Sequence, residues 1–234
     1  MNNEEIANLD ELESTHWWYL ARKNILRDWC SKLLPTSHVL DLGSATGGNS
    51  LVMQQLGFKV TSLEYSELGY QLQLKKGISV TKGDARNIPF SADYFDAIIC
   101  LDVLEHIQED DKVVSEINRV LKSGGKFLIS VPEDPGLWSD HDVAVSHFRR
   151  YRKSEITSLV LKESHLVIVA SWSSNYFIKP LVKLFRKVSK GSSLKKVSKL
   201  ENFLLLNISK IEQHLNLGDV SGMTVWVSGK KLEN

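Results

Sequence analysis

Short apolar runs and stretches with apolar residues every third or fourth position take turns along most of the chain. The runs at Val39–Leu40, Lys59–Leu63, 79–84, Ala97–Leu101, Lys126–Val131, 166–172 and 223–228 predict strands, and AIICL at 97–101 has the unbroken apolar character of a strand buried on both faces. The stretches between them predict helices. Leu51, Val52 and Leu56 share a face before Gly57, and Ser66 to Lys76 runs to Gly77. In 110–122, Val113, Ile117, Val120 and Leu121 share a face, with Gly124 as the stop. Strands and helices alternating at ~20–25 residues predict a doubly wound parallel sheet, an α/β fold.

Two regions fall outside this rhythm. At the N-terminus, Ile6, Leu9 and Leu12 predict a short helix over 3–13, and Ser14 or Thr15 caps a second one reaching about Leu33 before Pro35. The second opens with the dense cluster His16, Trp17, Trp18, Tyr19 and Arg22, which either staples the helix to the domain or forms a lid. Between the last two strands, Phe177, Leu181, Leu184, Phe185 and Val188 share one helical face, with Lys183, Arg186 and Lys187 elsewhere. After a break at 191–193, Leu200, Leu204, Ile208, Ile211 and Leu215 form another face, closed by Gly218. The expected organisation is one domain: a helical lid (1–34), a core (35–174 and 220–234) and an inserted helical cap (175–219).

A length of 234 residues supports one sizeable core, and 29 basic against 28 acidic residues argue against a general nucleic-acid binder. The balance conceals an asymmetry: residues 1–14 hold five acids and no base, while residues 165–200 hold eight Lys/Arg and no acid. Such a basic amphipathic insert suits a packed cover, a subunit contact, an acidic peptide or lipid-linked ligand, or peripheral membrane contact through 179–199. The pattern leaves these open, and the oligomeric state with them. Cys30 and Cys100 are isolated and make neither a disulfide framework nor a metal cluster. With no apolar signal region and no run of ~20 apolar residues, a cytoplasmic location is expected.

Candidate chemistry begins at HVLDLGSATGGNS (38–50), an apolar strand, an acid (Asp41) and a small-residue turn. Glycine there lets the backbone turn sharply and approach a ligand closely. No Gly-Lys-Ser/Thr follows, which excludes a P-loop. Glu64 stands 23 residues after Asp41 at the tip of the second strand, placed for ribose hydroxyls. GDA (83–85), PFSADYFDAIICLDVLEH (89–106) and RVLKSGGKFLISVP (119–132) follow in order.

Together these motifs, over roughly residues 15 to 172, resemble the class I S-adenosylmethionine-dependent methyltransferases, most closely the small-molecule, natural-product branch. The resemblance implies a Rossmann-like seven-stranded sheet with an antiparallel last strand, and S-adenosylmethionine as cofactor, leaving as S-adenosylhomocysteine. It implies cofactor contacts at Asp41, Gly43, Gly47, Glu64 and Tyr65. Asp84 accepts from the adenine amino group, the Ala85 amide approaches the ring, and Leu101 passes beneath the adenosine. Asp102 and His106 lie at the sheet's ligand edge, His106 serving structure and cofactor packing before catalysis. Arg22 pairs with the methionine carboxylate, with His16 and Tyr19 on the acceptor side. One departure is Ala45 at the middle glycine of the usual GxGxG.

The loop 132–151 resembles a Leu-Trp-Ser-x-His-Asp…His-x-Arg-Arg-Tyr run found in a subset of these enzymes, and supplies Trp138, His141, His147, Arg149, Arg150 and Tyr151. Histidine suits a general base for a hydroxyl acceptor, while arginines suit a carboxylate already ionised. The same residues also suit a salt-bridged, ordered loop. His141 and His147 are six apart beside Asp140 and Asp142, a weak metal signature, so no metal is expected. The expected function is O-methylation of an anionic natural product or modified peptide, with His141 and His147 catalytic and Arg149 and Arg150 gripping the acceptor. The rivals are N-methylation of an amine or aminosugar, action on a lipid-linked glycan at a membrane, and a silent binding module.

Overall fold

The computed structural model describes residues 3–188, 197–215 and 220–233. Its centre is a seven-stranded sheet in the order β3-β2-β1-β4-β5-β7-β6. The strands are β1 (His38–Leu42), β2 (Lys59–Glu64), β3 (Val80–Lys82), β4 (Phe95–Leu101), β5 (Leu121–Pro132), β6 (Leu166–Ser174) and β7 (Thr224–Lys231). The first five pair in parallel, and β7 slots antiparallel between β5 and β6. The chain winds outward from β1 to β3 and returns to β4 beside β1. That reversal opens a crevice at the carboxyl ends of β1 and β4.

Alternation along the central strands divides the core between the two faces. Leu40, Ile98 and Phe127 meet α5 (Asp110–Val120) and α7 (Lys153–Val160) through Val113, Ile117 and Ile156. Their neighbours Val39, Ile99 and Leu128 meet α2 (Trp17–Cys30) and α3 (Gly48–Gln55) through Leu26, Trp29 and Met53. Trp226 of β7 is fully buried in the second cluster, and Trp172 stacks on it at 6.1 Å.

Several expected boundaries move for identifiable reasons. Helix α1 (Asn3–Leu12) forms as expected, but α2 is capped by neither Ser14 nor Thr15. The amides of Thr15 and His16 still bond back to Leu12, so the first extended residue is His16, whose Nδ1 accepts from Trp18 N at 3.3 Å. The helix ends at Cys30, short of Leu33. On α3, Val52 and Met53 are the buried pair, while Leu56 stands exposed. Helix α5 stops at Val120 because Leu121 already pairs with Phe95; Lys122–Gly125 then bulge, with Gly124 at φ 75°, before Lys126 resumes beside Ala97.

The inserted helices are α8 (Lys179–Val188) and α9 (Lys199–Gln213). The expected break at 191–193 and stop at Gly218 lie outside the described residues, as does most of 189–199. Helix α9 lies along α2, with Trp17 N donating to Asn202 Oδ1 (2.6 Å) and Gln213 Nε2 to Ala21 O (3.1 Å). The expected lid and cap therefore touch each other directly.

Replacing Trp226 with Ala removes the side chain on which α2 and β6 both close. A loss of about 3–5 kcal/mol of stability is expected, read as the shift of the urea midpoint at unchanged slope.

Candidate functional site

A cavity of about 640 Å³ opens at the crevice between β1 and β4. Its floor is the strand edge (Gly43, Leu101, Asp102), and one wall is the lid (Trp18, Tyr19, Arg22). The loop after β5 supplies Trp138, His141 and His147, and α8 closes the rim with Val182 and Lys183.

The turn after β1 uses left-handed backbone three times: Gly43 (φ 73°), Ala45 (φ 48°) and Gly47 (φ 84°). A β-carbon on Gly43 would sit 2.5 Å from Val103, so this glycine is sterically required. Ala45 adopts the conformation for which its family position prefers glycine. The turn is held from outside. Glu64 accepts from Ala45 N (2.6 Å) with one oxygen and from Ser66 N (2.7 Å) with the other. Burial pushes its carboxyl above the ordinary range despite these amides. Asp41 is fully buried beneath the turn, accepts from Ser50 Oγ at 2.5 Å and is pushed up to about 7, chiefly by burial. It shapes the loop from below and does not reach the cavity.

The lid is pinned by Arg22. Its guanidinium meets Asp102 Oδ2 (2.5 Å), Ser130 Oγ (2.6 Å) and Thr224 Oγ1 (3.2 Å), and lies 4.7 Å over the Trp226 ring. Asp102 sits in left-handed backbone (φ 57°) just past β4, which turns its carboxylate into the cavity. A second pin, missed in the sequence, is Glu13. One oxygen accepts from Thr46 Oγ1 (2.7 Å) and the other meets Lys76 Nζ (2.9 Å), which also binds Asp10 (2.6 Å). A β-carbon on Gly48 would lie 2.0 Å from Glu13, so that glycine makes room for the lid carboxylate. The five acids of residues 1–14 were the available signal.

In the acceptor loop, Asp142 is the hub. Completely buried, it caps α6 (Asp140–Ala144) and accepts from His147 Nδ1 (3.0 Å) and Arg150 Nε (2.7 Å). Burial raises its carboxyl, but the bonds from His147 and Arg150 outweigh burial and hold it well below the usual range. The Nδ1 bond leaves Nε2 as the other ring nitrogen of the largely buried His147, 3.8 Å from Glu105 Oε1. Glu105, also missed, is buried with Oε2 unpartnered, and burial together with Asp102 pushes its carboxyl well up. Burial and the neighbouring His147 push His106 down to about 3, so it stays neutral.

Arg22, Gly43, Leu101, Asp102 and His106 of the expected cofactor set line the cavity, as do Tyr19, Trp138, His141, His147 and Arg150 of the acceptor set. Others do not. His16 is buried as the α2 cap. Arg149 Nη1 and Tyr151 Oη both converge on Asp110 Oδ2 (2.8 and 2.7 Å), behind the wall, and Arg150 is spent on Asp142. These arginines therefore order the loop, and the expected grip on an anionic acceptor loses its residues. Gly47, Glu64, Tyr65, Asp84 and Ala85 stand outside the cavity walls, along the adjoining edge of β2 and β3. Gly83 N bonds to Glu64 O (3.0 Å) there, and Asp84 is clamped by Arg86 (2.7 Å), whose hydrogen bonds hold it below the usual range.

An α/β sheet with β7 inserted antiparallel, and a glycine turn facing the β1–β4 crevice, defines a Rossmann-like methyltransferase fold. Residues 40–129 match the methyltransferase domain family. Relatives include an uncharacterized methyltransferase, YcgJ, of Bacillus subtilis (34% identical, 49% of this chain and 47% of that protein). A demethylmenaquinone methyltransferase of Streptomyces avermitilis is 36% identical over 41% of this chain and 42% of that protein. The chain thus spans less than half the length of these curated relatives. Among solved structures, a possible histamine N-methyltransferase from Thermotoga maritima superposes with TM-score 0.67 at 17% identity, covering 97% of this chain and 96% of that one. The [4+2]-cyclase SpnF does so with TM-score 0.64 at 15% identity, covering 93% and 83%. Residues 40–129 thus resemble an S-adenosylmethionine-dependent methyltransferase domain, set in the fold that these structures share.

The donor set fits that cofactor: a turn free of β-carbons at Gly43, a guanidinium beside a carboxylate for an amino-acid zwitterion, and two acids, Glu64 and Asp84, at successive strand tips.

Two predictions concern the turn. Ala45→Gly relieves a left-handed alanine and is expected to stabilise the protein by about 1 kcal/mol, read as a higher urea midpoint. Asp41 has a folded-state pKa raised above its unfolded value, so its contribution is full below the unfolded pKa and lost as pH rises to about 7. Asp41→Asn should flatten the fall in stability between pH ~5 and ~7 relative to the parent; parallel curves would contradict this.

Proposed function

We propose that the protein is a methyltransferase that transfers the methyl group of S-adenosylmethionine to a hydroxyl oxygen of a small-molecule acceptor. The observation that carries this is the Asp142–His147 pair (3.0 Å) opening onto the same cavity as the glycine turn and the Arg22–Asp102 pair.

S-adenosylmethionine supplies an electrophilic methyl on a sulfonium centre. The chain's own residues do the rest. Arg22 and Asp102 present adjacent opposite charges, suited to a carboxylate and an ammonium on one ligand end. Glu64 retains lone pairs beyond its two backbone bonds and serves the ribose hydroxyls, while Asp84 serves the adenine amino group. His147 takes the acceptor proton at Nε2, because Asp142 holds Nδ1–H and fixes the tautomer. Tyr19, Trp138 and His141 shape the acceptor side and exclude water.

A carboxylate acceptor is disfavoured because Arg149 and Arg150 are both paired with acids. N-methylation remains the second reading. The cavity's carboxylates (Glu13, Asp102, Glu105) and aromatics (Trp17, Trp18, Tyr19) favour it, since an amine suits acidic and aromatic walls. The relatives include a sterol, a demethylmenaquinone and a sarcosine/dimethylglycine methyltransferase, and SpnF is a cyclase, so the acceptor does not carry over from them.

The test is a 14-dalton mass gain in candidate extracts, matched to release of S-adenosylhomocysteine and followed by alkaline hydrolysis. A base-stable ether supports the hydroxyl reading; a methyl ester or methylamine overturns it. His147→Ala should lower kcat about 10²–10⁴-fold with cofactor Kd unchanged, checked by steady-state kinetics beside calorimetry.

A further inference from the structure

Helix α9 is amphipathic the wrong way round for a packed cover. The face it turns to the body is largely polar. Ser209 is 2% and Glu212 3% exposed, with Ser209 Oγ bonded to Asn175 Oδ1 (3.1 Å) and Glu212 accepting from the Tyr176 amide. Asn202 ties the same side to Thr15 O (2.9 Å), while Leu205 and Leu206 are half-buried beside it. Outward, Leu200, Phe203 and Ile211 are 68%, 63% and 60% exposed, and Leu204, Ile208 and Leu215 continue the stripe. Leu181 and Leu184 of α8 are exposed as well. Single exposed leucines are ordinary, but a continuous stripe on a helix anchored by its polar side marks a surface with a partner.

We propose that this face docks on an anionic lipid bilayer, lying along its surface. Charge selects that occupant. Residues 165–200 carry eight Lys/Arg and no Asp/Glu, and within α9's exposed turns Lys199 and Lys210 flank the apolar stripe. Such a surface is attracted to acidic headgroups and its leucines to the acyl boundary beneath. A second copy meeting through the same face would set lysine against lysine across a two-fold axis, the one exposed acid of α9, Glu201, being already engaged by the Ser198 amide (2.8 Å). No helix of the described residues is long and apolar enough to cross a membrane, so the contact is peripheral. Val182 and Lys183 of α8 also line the cavity.

The test is flotation of the chain with phosphatidylcholine vesicles, with and without about 30% phosphatidylglycerol. Association with the anionic vesicles is expected, weak with the neutral ones and reduced at about 0.5 M salt. The double variant Leu204→Glu/Ile211→Glu changes exposed positions only. It is expected to keep the parent's circular dichroism and melting temperature while losing vesicle binding about tenfold or more. Absence of binding to anionic vesicles overturns the proposal. So does a parent dimer in sedimentation that the double variant converts to monomer without any lipid association, which would assign the face to a second copy. Binding of S-adenosylmethionine to the same variant, followed by calorimetry, reports on the methyl-transfer reading separately.

Discussion

The contact on which this architecture turns is the Arg22–Asp102 ion pair. It joins a helix that precedes the sheet to the end of its fourth strand, and through Ser130 and Thr224 to the fifth and seventh. Arg22 is 7% exposed, so its charge must be answered inside the protein. Removing one partner of such a pair costs about 3–5 kcal/mol, mostly from the charge left behind. The lid is thereby fixed by electrostatics at the point where the sheet offers its ligand edge.

Around that pair, the site is organised by carboxylates with opposite environments. Asp142, with two cationic or hydrogen-bonding partners, is held low and stays ionised; Asp41 and Glu105, whose burial outweighs what nearby donors and arginines offer, are raised. Glu13 is matched by Lys76 and Thr46. The acid that orients His147 is thus the strongly ionised one, and the acid facing Nε2 is pushed toward neutrality. That ordering leaves the imidazole edge toward the cavity without a full negative charge against it, which suits a base that must be neutral to act.

The strand–turn–helix around Asp41 was legible from local periodicity, and the antiparallel β7 only through the family that the motifs resemble; the order of the strands in the sheet was not stated by either. Ala45 was legible as a departure, and its left-handed backbone gives the departure a physical meaning. The acceptor loop was not. Arg149, Arg150 and Tyr151 are chemically suited both to gripping an anion and to ordering a loop, and only the third dimension shows Asp110 and Asp142 beside them. His16 misled in the same way, since a histidine next to tryptophans reads as a binding residue while its ring is occupied capping α2. Glu105 escaped notice because an isolated acid carries no spacing signal, and Glu13 because nothing singles it out within the acidic run of residues 1–14; what distinguishes both is burial.

The inverted polarity of α9 has its cause in the lid. Trp17 N and Thr15 O, at the start of α2, are backbone groups at a helix terminus without partners of their own, and Asn202 satisfies both. Glu212 does the same for the Tyr176 amide where β6 hands over to α8. An apolar inward face would leave the Tyr176 amide buried and unpaired, at roughly 1–3 kcal/mol, and would take its bond from the partly buried Trp17 amide. Polar residues must therefore face the body, and the leucines spaced between them at helical intervals are turned outward. The same arrangement seals the lid with one side of α9 and turns the apolar stripe outward on the other.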